Sequence, residues 1–153
     1  MSRVFQHPRE LVGQEGQTLG HSDWLLIDQA RIDGFAAVSG DHQWIHVDVE
    51  RARLGPYGRT IAHGYLTLSL TNHFLPQLIA VRGVRHALNI GVDRIRFLAP
   101  VPEGSRIRGA GEIQKVIETT DGAIQATILI TVEIEGANKP ACVVESISRY
   151  YPE

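Results

Sequence analysis

The second half of the chain shows the alternation of apolar and polar residues that is typical of β-strands. From Gln125 onward, one face of the pattern holds only apolar residues: Ala126, Ile128, Ile130, Val132 and Ile134. The stretch RIRGAGEIQKVIETTDGAIQATILITVEIEG is therefore predicted to form a long hairpin that turns at Asp121-Gly122. Two further strands are predicted, namely NIGVDRIRFLAPV, with an irregularity at its glycine, and CVVESISRYY.

The first half of the chain has a helical pattern that is interrupted by loops. In LIDQARIDGFAAVSG the apolar residues recur at helical intervals, with Asp28 as the predicted N-cap and Gly40 as the stop. A short helix is predicted for DVERARLG, between Asp48 as N-cap and Gly55 as terminator. The residues HQWI between these two helices are interpreted as a loop.

The stretch YLTLSLTNHFLPQLIAV is predicted to form a buried central helix, because its apolar residues lie on most helical faces. Residues 60–81 contain no Asp, Glu, Lys or Arg, which is also a feature of membrane spans. The polar side chains of His63, Asn72 and Gln77 in this range favour a helix in a protein core instead. Pro76 is predicted to kink this helix or to end its regular part.

Length and composition predict one globular domain over residues 1–153. The apolar fraction of 43% and the charged fraction of 21% are near globular averages, and a net charge of −2 favours neither a nucleic-acid nor an anionic-membrane partner. Cys142 is the only cysteine, so no intrachain disulfide can form and a cytoplasmic location is expected. Long antiparallel strands and one buried helix predict an α+β domain in which a curved sheet wraps around the helix.

The stretch SGDHQWIHVD, residues 39–48, concentrates titratable side chains around the apolar pair Trp44-Ile45. Its Asp41 and His46 lie five positions apart. A carboxylate and an imidazole can transfer protons, bind a metal ion or stabilise a turn. The residues alone leave these three interpretations open.

Two motifs together resemble a known family. FAAVSGDHQWIH, followed by TIAHGYLTLSL, is similar to the signature of the MaoC-like (R)-specific enoyl-CoA hydratases, which have the hot-dog fold. Within that family the short single-domain chain resembles the NodN-like branch. The sequence departs from the family pattern at Gln43-Trp44, where other members have Asn-Pro. Gln43 keeps the amide with a longer reach, and Trp44 is predicted to stiffen the loop by burying its ring.

The resemblance implies both a reaction and the residues that perform it. Asp41 and His46 are expected to be the acid–base pair that hydrates a trans-2-enoyl-CoA to an (R)-3-hydroxyacyl-CoA. Gly64 is expected to present its N–H to the thioester oxygen at the start of the central helix. Further oxyanion or substrate contacts are expected from Gln43, His63 and Asn72. The resemblance implies a homodimer, an acyl-CoA thioester as substrate, and neither a cofactor nor a metal ion.

Three alternatives remain open at this point. The first is a non-catalytic hot-dog module that binds acyl thioesters, for which the altered Gln43-Trp44 pair is the best support. The second is an acyl-CoA thioesterase. Such hot-dog enzymes commonly carry a carboxylate on the central helix, and residues 63–80 contain none. The third is a zinc site formed by four side chains: Asp41, His42, His46 and His63.

Overall fold

Six strands form one antiparallel sheet in the computed structural model, which describes all 153 residues. Four of them are long: β5 (Val84–Phe97), β6 (Arg106–Glu118), β7 (Ile124–Ile134) and β8 (Cys142–Pro152). Two are short: β2 (Thr18–His21) and β3 (Leu25–Leu26). The strand order is β2-β6-β7-β8-β5, and β3 also pairs with β6. Strand β5 is therefore an edge of the sheet.

The long strands agree with the sequence pattern. Strands β6 and β7 form the predicted hairpin, and Gly122 in its turn has a φ of +83°. The apolar face of β7 is buried from Ile124 to Val132. In β5 the pairing with β8 shifts register between Asn89 and Gly91, which confirms the predicted irregularity.

Five α-helices lie outside the sheet, together with a short 3₁₀-helix at Pro8–Leu11. They are α1 (Gln29–Ser39), α2 (Trp44–Val47), α3 (Val49–Arg53), α4 (Gly64–Ser69) and α5 (Thr71–Leu78). The predicted caps of the first helix are confirmed: the Asp28 side chain accepts a hydrogen bond from the N–H of Arg31, and Gly40 adopts the left-handed conformation. Asp48 caps α3 in the same way, with the N–H of Arg51 as donor.

The central helix differs from its prediction in three ways. It is interrupted at Leu70 rather than at Pro76, next to Ser69 and Thr71, whose hydroxyls bond to carbonyls three residues back. Its regular part ends at Leu78, after which residues 79–81 form a strand. Burial on nearly all faces was expected, yet one side of the helix is open in the single chain, and Tyr65 is 70% exposed.

Other parts of the first half also depart from the predicted pattern. Strands β1 (Arg3–Phe5) and β4 (Ile79–Val81), which pair in parallel, were missed together with β2 and β3. The presumed HQWI loop overlaps α2, a helix of one turn that begins at Trp44. None of the helices combines the length and the apolar character needed to cross a membrane.

Two glycines of β6 allow the sheet to pack closely around the central helix. A Cβ added at Gly109 would lie 2.8 Å from the Cβ of Phe74, and one at Gly111 would lie 3.0 Å from a methyl carbon of Leu78. Phe74 and Leu78 are fully buried in the main apolar core. The glycines therefore remove the side chains that would hold α5 away from the sheet.

Candidate active site

The first site residue, Asp41, follows the glycine that ends α1. Gly40 has a φ of +80°, and the chain turns there so that Asp41 lies beside His63, just before the start of α4. The Asp41 carboxylate accepts a hydrogen bond from the N–H of Gln43 at 3.2 Å, and the Asp41 N–H donates to the hydroxyl of Ser39 at 3.3 Å. These local bonds fix the turn, and the side chain stays exposed to solvent.

The second residue, His46, is buried on α2. Its Nδ1 lies 2.6 Å from the carbonyl oxygen of Ile61 and must donate to it, because a carbonyl oxygen only accepts. Burial lowers the pKa of His46 below its ordinary value, and this effect outweighs the opposing influences of the Ile61 bond and Asp41. The imidazole is therefore neutral at pH 7, with a lone pair at Nε2 that can accept a proton.

His63 connects the two segments of the site. Its Nε2 donates to the backbone carbonyl oxygen of Asp41 at 3.0 Å, and its ring stacks on His46 with the centroids 3.8 Å apart. The ring of Phe35 covers another side of His63 at a centroid distance of 4.9 Å. His63 thus ties the Asp41 turn to the start of α4.

The three titratable side chains lie together in one cavity. A carboxylate oxygen of Asp41 and one ring nitrogen each of His46 and His63 all lie within 4.8 Å of one another. The cavity has a volume of about 550 Å³ and is lined by eight residues: Phe35, Ser39, Asp41, His46, His63, Gly64, Tyr65 and Phe97. The arrangement provides one carboxylate and one neutral imidazole at a solvent-accessible surface, which suits proton transfer to and from a small molecule.

Gly64 contributes a backbone donor to this cavity. It is the first residue of α4, and its N–H makes no hydrogen bond within the chain. A Cβ at this position would lie 3.1 Å from the ring of Phe97, at the end of β5. Gly64 therefore leaves a free donor beside the Asp41 and His46 side chains.

Phe97 is a site residue that the sequence reasoning missed. Its ring is about half exposed (47%) and borders a second cavity of about 320 Å³, which shares His46, Gly64 and Phe97 with the first. The lining of this second cavity is mostly apolar and includes Ile61, Leu98 and Val101 among its residues. The only available signal was an aromatic residue at the end of a predicted strand, which is too common to indicate a site.

Two predicted site residues lie outside the cavity in the single chain. Gln43 is exposed and precedes α2, and Asn72 is exposed on α5. Neither side chain lines the cavity, so their assignments stay predictions.

Trp44, the neighbour of Gln43, is half-buried. Its ring lies 3.1 Å from the position of a Cβ at Gly55 and 4.2 Å from the guanidinium carbon of Arg51. The ring therefore connects the start of α2 with Arg51 in α3 and with Gly55 just after α3.

The donor set of the cluster is also compatible with a transition-metal ion. Each histidine uses one nitrogen to bond a backbone carbonyl, which leaves Nε2 of His46 and Nδ1 of His63 as the ring nitrogens of the cluster without a bond to the chain. His42, the fourth residue of the predicted zinc site, is exposed and lies outside the cluster.

Comparison with known proteins gives consistent relationships. Residues 10–134 match the family described as MaoC like domain. The 3-hydroxyacyl-thioester dehydratase Z of Mycobacterium tuberculosis is 49% identical over 148 residues, which cover 97% of this chain and 98% of that protein. Nodulation protein N of Rhizobium leguminosarum bv. viciae is 43% identical over 135 residues, covering 87% and 84%. The solved (R)-hydratase from A. caviae involved in PHA biosynthesis has a TM-score of 0.74 at 23% identity, covering 92% and 98%.

These matches bear on different levels of the prediction. The solved hydratase has a TM-score of 0.74, which shows that the two chains share a fold. Its identity of 23% supports no conclusion beyond the fold. The dehydratase and the nodulation protein align with most of the chain, and the nodulation protein confirms the predicted NodN-like resemblance. The extent of the family match, together with these identities, establishes that the chain belongs to the MaoC-like family.

Proposed function

We propose that this chain is a hydro-lyase that adds water reversibly to a trans-2-enoyl thioester to give the (R)-3-hydroxyacyl thioester. The observation that carries the proposal is the position of Asp41, neutral His46 and the free N–H of Gly64 around one cavity. The relative named 3-hydroxyacyl-thioester dehydratase Z supports a thioester as substrate and dehydration as the reverse reaction.

In the hydration direction, Asp41 and His46 hold one water between them. The unprotonated Nε2 of His46 takes a proton from this water while the water oxygen bonds to C3 of the substrate. The electron pair of the C2–C3 double bond moves towards C2 and the thioester oxygen. C2 then receives a proton from the acid–base pair, so that one water is added in total and the pair returns to its starting protonation.

Gly64 stabilises the charge that develops on the thioester oxygen. Its free N–H lies at the start of the central helix, where the backbone dipoles favour a negative charge. A fixed donor of this kind acts on the transition state more than on the bound substrate. The ring of Phe97 lies 3.1 Å from the Cβ position of Gly64, and we expect this half-exposed ring to move aside when the thioester approaches the backbone.

The acyl carrier is proposed to be coenzyme A, and the active form is proposed to be a homodimer. The outer side of β5 has no neighbouring strand, and β5 carries the exposed apolar residues Leu88, Ile90 and Phe97. A second copy would cover this edge and the open side of the central helix. Light scattering of the purified protein should give twice the mass of the chain.

The decisive experiment measures hydration of crotonyl-CoA and of longer trans-2-enoyl-CoAs by the loss of absorbance of the conjugated thioester. We expect turnover, formation of the (R)-alcohol on chiral analysis, and no release of free thiol. Binding of the enoyl-CoA without turnover at any chain length would contradict the proposal and favour a non-catalytic binding module. Release of free CoA would indicate a thioesterase.

A further inference from the structure

One buried polar atom of the protein has no hydrogen-bond partner, and it belongs to the active site. This atom is Nδ1 of His63. His63 is 3% exposed, and its ring does not cap the helix that it precedes. Buried polar atoms are normally satisfied, so an orphan atom on a residue that lines the cavity indicates a partner that arrives with the ligand, when the side chains that cover this atom move aside.

The hydrogen-bond geometry fixes the protonation of this ring. Nε2 of His63 faces the carbonyl oxygen of Asp41 at 3.0 Å, and it must carry a hydrogen because that oxygen can only accept. The ring of His63 stacks on that of His46 with the centroids 3.8 Å apart. With the hydrogen of the neutral ring on Nε2, Nδ1 presents an unused lone pair.

We propose that Nδ1 of His63 accepts a hydrogen bond from the water that adds to the substrate, which makes His63 a third catalytic residue beside Asp41 and His46. The inference rests on the proposed hydration. The reacting water has two hydrogens, and the base removes one of them. His63 binds the other one, so that the oxygen lone pair points at C3 of the substrate. In the reverse direction His63 accepts from the departing water. No proton is transferred to it.

Two substitutions of His63 separate its two hydrogen bonds. In Asn the amide oxygen is as many bonds from Cβ as Nδ1, whereas in Gln the amide nitrogen is as many bonds from Cβ as Nε2. His63→Asn therefore keeps an acceptor for the water, and His63→Gln keeps the donor to the Asp41 carbonyl. We expect His63→Gln to lose about tenfold or more in kcat with little change in KM, the effect of one lost hydrogen bond in the transition state. His63→Asn should retain clearly more activity than His63→Gln.

The matched control is His42→Gln, because His42 is exposed next to Asp41 and does not line the cavity. It should keep wild-type kcat and KM. A His63→Gln enzyme with wild-type kcat, or with more activity than His63→Asn, would overturn the inference. So would elemental analysis that finds one metal ion per chain, lost in His63→Gln, because the ion would then be the partner of Nδ1. If the wild type does not hydrate any enoyl thioester, the proposed function itself fails.

A measurement on the wild-type protein avoids any effect of substitution on folding. Nitrogen NMR of ¹⁵N-histidine-labelled enzyme should show His63 as the Nε2–H tautomer. Addition of (R)-3-hydroxybutyryl-CoA should then shift the Nδ1 signal in the direction of a hydrogen-bonded acceptor. An Nδ1 signal that does not move while the ligand saturates the protein would contradict the proposal.

Discussion

Each end of the central helix has a close glycine contact, but the surroundings of the two contacts differ. At its start, Gly64 leaves an N–H free beside polar side chains, and the neighbouring ring of Phe97 is about half exposed. At its other end, Gly109 and Gly111 of the sheet bring Phe74 and Leu78 into a core without solvent. The missing Cβ admits the half-exposed ring of Phe97 beside the cavity at the first end, and it admits fully buried core side chains at the second.

This difference separates catalysis from stability along one helix. At the first end, the polar groups are held mainly by hydrogen bonds to backbone carbonyls, which fix their orientation and contribute little apolar burial. At the second end, close packing supplies stability and no titratable group takes part. Substitutions at the first end should therefore change kcat, and substitutions at the second end should change the free energy of unfolding.

The largest change in kcat at the first end of the helix is expected from substitution of the acid–base pair. Asp41→Asn and His46→Gln should each lower kcat by about 10²–10⁴-fold, because each removes a proton-transfer group. Asp41 is exposed, so its variant should unfold at the wild-type temperature. Turnover is measured with crotonyl-CoA and unfolding by circular dichroism. Wild-type turnover by either variant would refute the assignment of that residue.

The next effect is expected at Gly64. Gly64→Ala should lower kcat by up to about 10²-fold, a loss near that of removing an oxyanion donor, because the methyl group blocks the thioester. The competing cause is the new contact with Phe97. The double variant Gly64→Ala with Phe97→Ala distinguishes the two causes. We expect it to stay inactive, since the half-exposed ring can shift to admit a methyl group. Recovery of activity in the double variant would show that Gly64 serves the packing of Phe97.

At the other end of the helix, substitution of Gly109 should lower the free energy of unfolding. Gly109→Ala places a Cβ 2.8 Å from that of Phe74, where neither backbone can move easily. Overpacking of this kind costs about 1–3 kcal/mol of the free energy of unfolding. Urea denaturation measures this loss, and the matched control Gly34→Ala, on α1 with no atom near the added methyl, should not show it. A large fall in the kcat of the folded Gly109→Ala protein would contradict the view that this end of the helix serves stability and not catalysis.

Much of this comparison could be predicted from local sequence. The alternation of β7 and the caps of α1 are local properties, and both were predicted correctly. Asp41 and His46 were recognised as a pair because a compound motif fixed their spacing. Their convergence with His63 was implied by the family resemblance alone, since His63 lies 17 positions after His46.

Other features depend on contacts between distant parts of the chain. Nothing near Phe97 in the sequence indicates that its ring packs on Gly64, because the contact depends on how β5 meets the central helix. The short strands β1 and β4 pair over a long separation and are too brief to show alternation. The open side of the central helix was missed although several of its exposed residues are polar, namely Ser69, Asn72 and His73, because the many apolar residues between them dominated the pattern.

The smallest effect is expected at Trp44, where the sequence departs from the family pattern. Its ring packs on Gly55 and under the guanidinium of Arg51, so it connects the helix that carries His46 with the end of α3. We expect this contact to supply the rigidity that a proline would give at this position through its fixed φ. Trp44→Ala should therefore lower kcat by only a few fold, because Trp44 positions His46 through α2 and performs no chemistry.

A control for Trp44 tests how much of its effect comes from an aromatic ring under Arg51. Trp44→Phe keeps such a ring but lacks the outer indole carbons that lie against Gly55, and it should retain most of the activity. Trp44→Ala removes both contacts and should also lower the unfolding temperature slightly, since a half-buried ring is lost. The measurements are kcat with crotonyl-CoA and the unfolding midpoint. Equal activity in wild type and Trp44→Ala would show that the His46 helix is positioned without the ring, and that the bond from His46 to the Ile61 carbonyl is sufficient.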